Sequence, residues 1–209
     1  MNSENLEQKR NIKDFLKSNI KILLSIFFFI VLIGIFFLWT DYSNKLNKKR
    51  ISKDFIQAKI LLNKNSNDKS LEILKDIVNE KDETYSPLAL YLIIDKKLDE
   101  DPNIINEYFD SVISIGKLEK EDLNLIKLKK AIHLSQSSDE KTLLDLLNPI
   151  INSKSIWRLQ SMEFLGDYYY SKKQFKKAEQ YYIQILNKGE DLSIDVSDIK
   201  RKMKLINND

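Results

Sequence analysis

The sequence predicts an all-α protein: a single N-terminal transmembrane helix over residues 22–40, then a helical-hairpin solenoid over 41–209. Three observations predict it. Ile22 to Trp39 is an uninterrupted apolar run of 18 residues with no charge and Ser25 as its only hydroxyl. Beyond it, apolar residues recur at spacings of three and four, the period of helices with one buried face. Residues 41–209 also hold only three glycines (116, 166, 189) and three prolines (87, 102, 149), too few turn formers for a sheet-rich fold of this length.

The apolar run spans about 27 Å at roughly 1.5 Å per residue, close to the hydrocarbon thickness of a bilayer. A helix satisfies its own backbone hydrogen bonds there, where no water is present to do so. A cleaved signal would end in small residues, whereas Thr40-Asp41-Tyr42-Ser43-Asn44 follows, so the run is read as an uncleaved anchor. Trp39 and Tyr42 suit the membrane–water interface, and Gly34 offers a place for another helix to approach. Residues 1–21 form a short charged tail. Its Lys9, Arg10, Lys13, Lys17 and Lys21 are balanced by Lys45, Lys48, Lys49, Arg50 and Lys53 on the far side, so charge alone leaves the topology open. Lys17 and Lys21 lie nearest the apolar core and Asp41 opens the other flank, which favours a cytoplasmic N-terminus and a translocated body.

The body divides into amphipathic segments. Phe55, Ala58, Leu61 and Leu62 form one stripe, and Leu71, Leu74, Ile77 and Val78 the next. Leu88, Tyr91 and Leu92 follow, then Ile104, Ile105, Tyr108, Phe109 and Val112. Leu125, Leu128, Ala131 and Ile132 precede a last group of Leu143, Leu144, Leu146 and Leu147. Ser86-Pro87 and Asp101-Pro102 each place a capping side chain before a first-turn proline, and Ser138-Asp139 can open the helix through Leu147. Gly116 and Gly189 stand where a left-handed residue would close a helix. Eight or nine antiparallel helices in one domain are expected, joined by polar turns such as Lys64-Asn65-Ser66-Asn67.

Composition narrows the chemistry. The chain has no cysteine, which removes disulfides, thiolate metal sites and thiol catalysis. Its single histidine, His133, is expected as a solvated or capped helix residue. Net charge is +3, and outside residues 1–40 basic and acidic groups are nearly equal and interspersed, unlike the concentrated basic face of a nucleic-acid binder. No glycine-rich phosphate loop and no Gly-x-Ser-x-Gly elbow occurs. The expectation is a non-enzymatic protein with no cofactor, no metal and no small-molecule substrate.

Residues 159–192 resemble a tetratricopeptide repeat. Met162, Leu165, Gly166 and Tyr169 fill the large, Leu-Gly and Tyr places of the first helix, and Phe175, Ala178 and Tyr182 the aromatic, small and aromatic places of the second. Ile185 and Glu190 depart from the usual alanine and proline. Gly166 inside a helix costs about 1 kcal/mol relative to alanine, tolerable where a neighbouring helix comes close, with Ala178 as the small counterpart. Residues 51–84 keep Ala58, Leu61, Ser70 and Leu74 of the small–large scheme, while 85–118 and 119–152 keep only the helix pairing. Several units must stack, because one cannot bury its own face.

The order of parts resembles the YfgM-like family, ancillary subunits of the bacterial SecYEG translocon: a charged start, the Gly34…Trp39 anchor with Tyr42, degenerate repeats, and a late Glu163-Phe164-Leu165-Gly166-Asp167 segment. The resemblance implies a periplasmic repeat domain that meets translocon subunits and periplasmic chaperones or newly exported chains. A solenoid binds on the concave side lined by the first helix of each pair. On 159–171 the positions opposite the buried stripe are Gln160, Glu163, Asp167 and Tyr170, the candidate protein contacts, with Tyr170 favoured as a hot-spot residue type. Successive residues point about 100° apart, so Tyr168, Tyr169 and Tyr170 cannot all be core. Two other readings stay open: an assembly factor of another envelope complex, bound through its anchor, and a cytoplasm-facing adaptor.

Overall fold

The computed structural model describes residues 19–136, 139–189 and 196–206, among which every regular element is a helix. The expectations placed on the tail before residue 19, on Ser138 and on 190–192 lie outside the described residues. Helix α1 is Ile20–Asn63, α2 Asn67–Asn79, α3 Tyr85–Asp95 and α4 Pro102–Ile113; α5 is Lys120–Leu134, α6 Glu140–Ile151, α7 Arg158–Ser171, α8 Phe175–Gly189 and α9 Ser197–Ile206. Contacts divide the chain into two compact units, Met1–Lys53 and Asp54–Asp209, so the division falls inside α1, later than the end of the apolar run.

In the first unit, α1 is long and apolar enough to cross a membrane, by length and composition, and none of its apolar window is buried. Phe29 is 64% and Leu38 74% exposed, an arrangement that water would oppose and lipid would not. The run's one hydroxyl turns inward: Ser25 Oγ donates to the carbonyl of Ile22 at 2.8 Å, and Thr40 Oγ1 does the same to Phe37 at 2.9 Å. Both hydroxyls are thus satisfied without water.

In the second unit α2 packs on α3, α4 on α5, and α7 on α8; α4 also meets α2 and α3, α6 lies between α5 and α7, and α9 packs on α8. Small residues sit where backbones approach. Ser70 and Ala58 are fully buried, and Ser70 Oγ donates to the Ala58 carbonyl at 2.9 Å. One apolar cluster runs from α5 to α9 through Leu128, Leu143, Leu147, Ile150, Met162, Leu165 and Ile185. Each such side chain contributes about 1.5–3 kcal/mol by leaving water. The Ser155–Trp157 turn before α7 is fastened to α5: Ser155 Oγ donates to Glu121 Oε2 at 2.5 Å and accepts from Asn124 at 3.1 Å, while Trp157 Nε1 donates to the Glu121 carbonyl at 3.0 Å.

Several boundaries differ from the sequence reading. Asp101 and Asp139 do cap α4 and α6, accepting from Asn103 N at 2.9 Å and Thr142 N at 2.8 Å. Ser86 does not cap α3. It is buried inside the helix, where its hydroxyl donates to the Ile77 carbonyl at 2.6 Å, and Asp82 takes the free amides of Thr84 and Tyr85 instead. Gly116 is not left-handed; among the described residues the left-handed ones are Asn65, Lys81, Lys97 and Lys173, with φ between 49° and 57°. Behind Asn65, Lys97 and Lys173 the next amide reaches back to the helix: Ser66 to Leu61, Leu98 to Ile93 and Gln174 to Tyr169, at 2.9–3.0 Å. The buried face of α3 is Ala89, Leu90 and Ile93, with Leu88 43% exposed, and on α5 Ile126 is buried while Ile132 is half exposed. Both helices are apolar on more than one side, which blurs a stripe read from spacing alone.

Candidate functional site

The α7–α8 pair is closed by one close approach. A Cβ placed on Gly166 would lie 2.5 and 2.9 Å from Cε1 and Cδ1 of Tyr182, so the ring occupies the space that any other residue would need. The counterpart of Gly166 is therefore the Tyr182 ring, not Ala178. Met162, Leu165, Tyr169, Ala178 and Tyr182 are all buried, and Phe175 is half-buried. The hydroxyl of Tyr182 donates to Asp167 Oδ1 at 2.6 Å. Burial first, then that carboxylate, pushes the phenol well above its ordinary range.

Asp167 is also held by α9. Lys202 Nζ lies 2.8 and 2.9 Å from the two Asp167 oxygens, 3.2 Å from Glu163 Oε1 and 3.0 Å from Asp198 Oδ2, and 5.9 Å from the centre of the Tyr182 ring. Burial works against the ammonium charge, but hydrogen bonds to Asp167, Asp198 and Glu163 outweigh it and raise its pKa. Of the four candidate contacts, then, the structure brings Glu163 and Asp167 together around an internal cation. Gln160 is exposed, and Tyr170 is half-buried against Phe175, ring centres 5.4 Å apart. Tyr169 is the core member of the tyrosine run. It stacks on Tyr181 at 5.7 Å and donates to Glu140 Oε1 at 2.8 Å, and Lys177 reaches the same oxygen at 2.8 Å.

Open clefts include two that adjoin α5. One, of 380 Å³, lies between the end of α5 (Ser135, Gln136) and the outward face of α7 (Phe164, Asp167, Tyr168, Ser171). Of its lining residues, Asp167 was a sequence candidate, and Phe164 and Tyr168 were not. The available signal was their i, i+4 spacing, two aromatics on a face otherwise assigned to solvent. The other cleft, of 330 Å³, is floored by Phe109 of α4 and walled by Tyr91 and Ile94 of α3 and by Lys129, Ile132 and His133 of α5. Lys129 Nζ stands 4.9 Å over the Tyr91 ring, whose pKa is pushed up to about 12 by burial and the charge of Asp122. Of the two settings expected for His133, solvated or capped, the structure does not show the first. The residue is half-buried 5.9 Å from the Phe109 ring, and burial lowers its pKa against a smaller opposing effect of the Pro102 backbone. Its buried Nε2 meets no hydrogen-bond partner among the described residues.

Among the described residues no three His, Asp or Glu side chains are grouped to hold a metal ion. Compared with protein-family models, curated proteins and solved structures, the chain matches none.

Proposed function

We propose that this protein is a non-enzymatic interaction scaffold anchored in a membrane by one helix, with a tetratricopeptide-like stack as its binding body. The observation that carries the reading is the α7–α8 pair, where Gly166 of one helix receives the Tyr182 ring of the next at the spacing of that repeat. The exposed apolar run of α1 supports the anchor. The Phe164–Tyr168 cleft supports binding of a polypeptide on α7, since aromatics over a partly polar floor are the usual anchors of protein interfaces.

The partner class we propose is the protein-export machinery: translocon subunits, periplasmic chaperones or emerging chains, with the body on the periplasmic side. This assignment rests on the family resemblance. A photo-reactive residue at Gln160 or Ser171, used in native membranes, is expected to crosslink those proteins. Recovery of neither a translocon subunit nor a chaperone removes the export assignment. Side is tested independently: with no native thiol, a single cysteine at an exposed position of the body reports its compartment by accessibility to an impermeant reagent.

A further inference from the structure

We propose that the α1 segment just beyond the apolar run is a binding site for the headgroups of anionic phospholipids; this rests on the membrane-spanning reading of α1. Residues 40–53 hold five basic side chains, Lys45, Lys48, Lys49, Arg50 and Lys53, against one acidic, Asp41. All five are exposed and stand on the same continuous helix as the apolar run, Ile20–Asn63. That continuity fixes their position. At about 1.5 Å per residue, Lys45 to Lys53 lie roughly 9 to 21 Å beyond Trp39 along the axis. The headgroup layer is about 5–8 Å deep, so these positions begin just above it, and all but Lys53 lie within about one Debye length of it.

Their angular placement selects one side. At about 100° per residue, Lys45, Lys48, Lys49 and Lys53 fall within an arc of about 140°, and Tyr42 falls inside the same arc. Tyr42 is 63% and Trp39 65% exposed, so the basic face continues directly from side chains that suit the interface. Asp41 pairs with Lys45 at 2.8 Å, with both side chains largely in the open. Arg50 Nη2 donates to Asn47 Oδ1 at 2.6 Å and stands at the edge of the face. Long lysine arms reach back toward a surface while their stems lie along the helix. Each basic residue held near an anionic surface adds about 1 kcal/mol, about fivefold in preference. The ligand class is the phosphodiester headgroup with net negative charge, recognised by charge and depth.

The test uses the full chain in vesicles of phosphatidylcholine with a minority of phosphatidylglycerol and a trace of either lipid carrying a spin label. The fraction of each label immobilised by the protein gives the preference directly. At about 0.1 M salt the wild type is expected to favour phosphatidylglycerol about fivefold. About 1 M salt should bring the ratio to near unity, and the combined Lys45→Gln, Lys48→Gln, Lys49→Gln and Lys53→Gln variant should lower it to the value that the basic residues before the apolar run sustain alone. A wild-type ratio near unity, or a variant that keeps the full wild-type ratio, overturns the proposal. Flotation with pure phosphatidylcholine vesicles separates the two readings: a chain that floats but shows no preference refutes only the headgroup site. One that floats with neither vesicle refutes the anchor and the site together.

Discussion

At Gly166 helix propensity and packing make opposite forecasts for a single methyl group. In an exposed helix, Gly→Ala gains roughly 1 kcal/mol. Here the new Cβ would stand 2.5 Å from a ring carbon of Tyr182, and that ring is 1% exposed with its hydroxyl tied to Asp167. The ring has nowhere to move, so overpacking wins and Gly166→Ala should destabilise by about 1–3 kcal/mol. Urea unfolding of the full chain in a nonionic detergent should show the midpoint falling with an unchanged slope. Tyr182→Phe keeps the ring and loses about 1 kcal/mol with the hydroxyl. Tyr182→Ala combined with Gly166→Ala should cost less than the sum of the two single changes, because the cavity of one accepts the methyl of the other. A stabilised Gly166→Ala protein would mean that the α7–α8 approach is looser than described.

Helix ends and the last helix carry the next two forecasts. Four elements close on left-handed residues, three of them lysines, and a left-handed lysine costs about 1–2 kcal/mol that glycine does not. Lys173→Gly, between α7 and α8, should therefore stabilise by about 0.5–1 kcal/mol after allowing for the greater freedom of glycine in the unfolded chain; a fall in the urea midpoint would contradict this. Helix α9 is held by Lys202, which three carboxylates share, each 41–46% exposed on its side chain. Partial exposure limits their worth, so Lys202→Met should cost only about 1–2 kcal/mol, with the difference shrinking in about 1 M salt. Amide exchange should rise in α9 before it rises in α7. The sequence foretold helix existence well and closure poorly. Asp101 and Asp139 announce their caps because a carboxylate before a helix has one common use, whereas nothing in a lysine marks a left-handed turn, and Ser86 before Pro87 reads as a cap until Ile77 is seen beside it.

Across the molecule, what was legible followed from local chemistry: the uncharged run of α1, the scarcity of turn formers, and a close helix approach at Gly166, for which the sequence pointed to Ala178 as the counterpart and not to the Tyr182 ring. What was not legible joins distant residues. Lys202 is 35 positions from Asp167, and His133 enters the α3–α5 cleft only because α4 brings Phe109 beneath it. Those distant contacts determine how stability responds to pH. His133 is shifted down, chiefly by burial, so the unfolded chain takes up its proton first and stability falls as pH drops below about 6.5. Asp99 and Glu140 are also shifted down. For Asp99 burial opposes the shift and the Lys75 hydrogen bond overcomes it; for Glu140 the Lys177 and Tyr169 hydrogen bonds cause it. Their contribution is complete above about 4 and is lost as pH falls through their lower folded values. Lys75, Lys202 and Tyr182 are shifted up, so their contribution is complete below about 10 and lost above it. Urea midpoints should thus be flat between about pH 7 and 10, fall gently to about pH 5, and fall steeply below about 4. His133→Gln should remove the gentle step and leave the acid limb unchanged; if the step survives that substitution, a group other than the cleft histidine produces it.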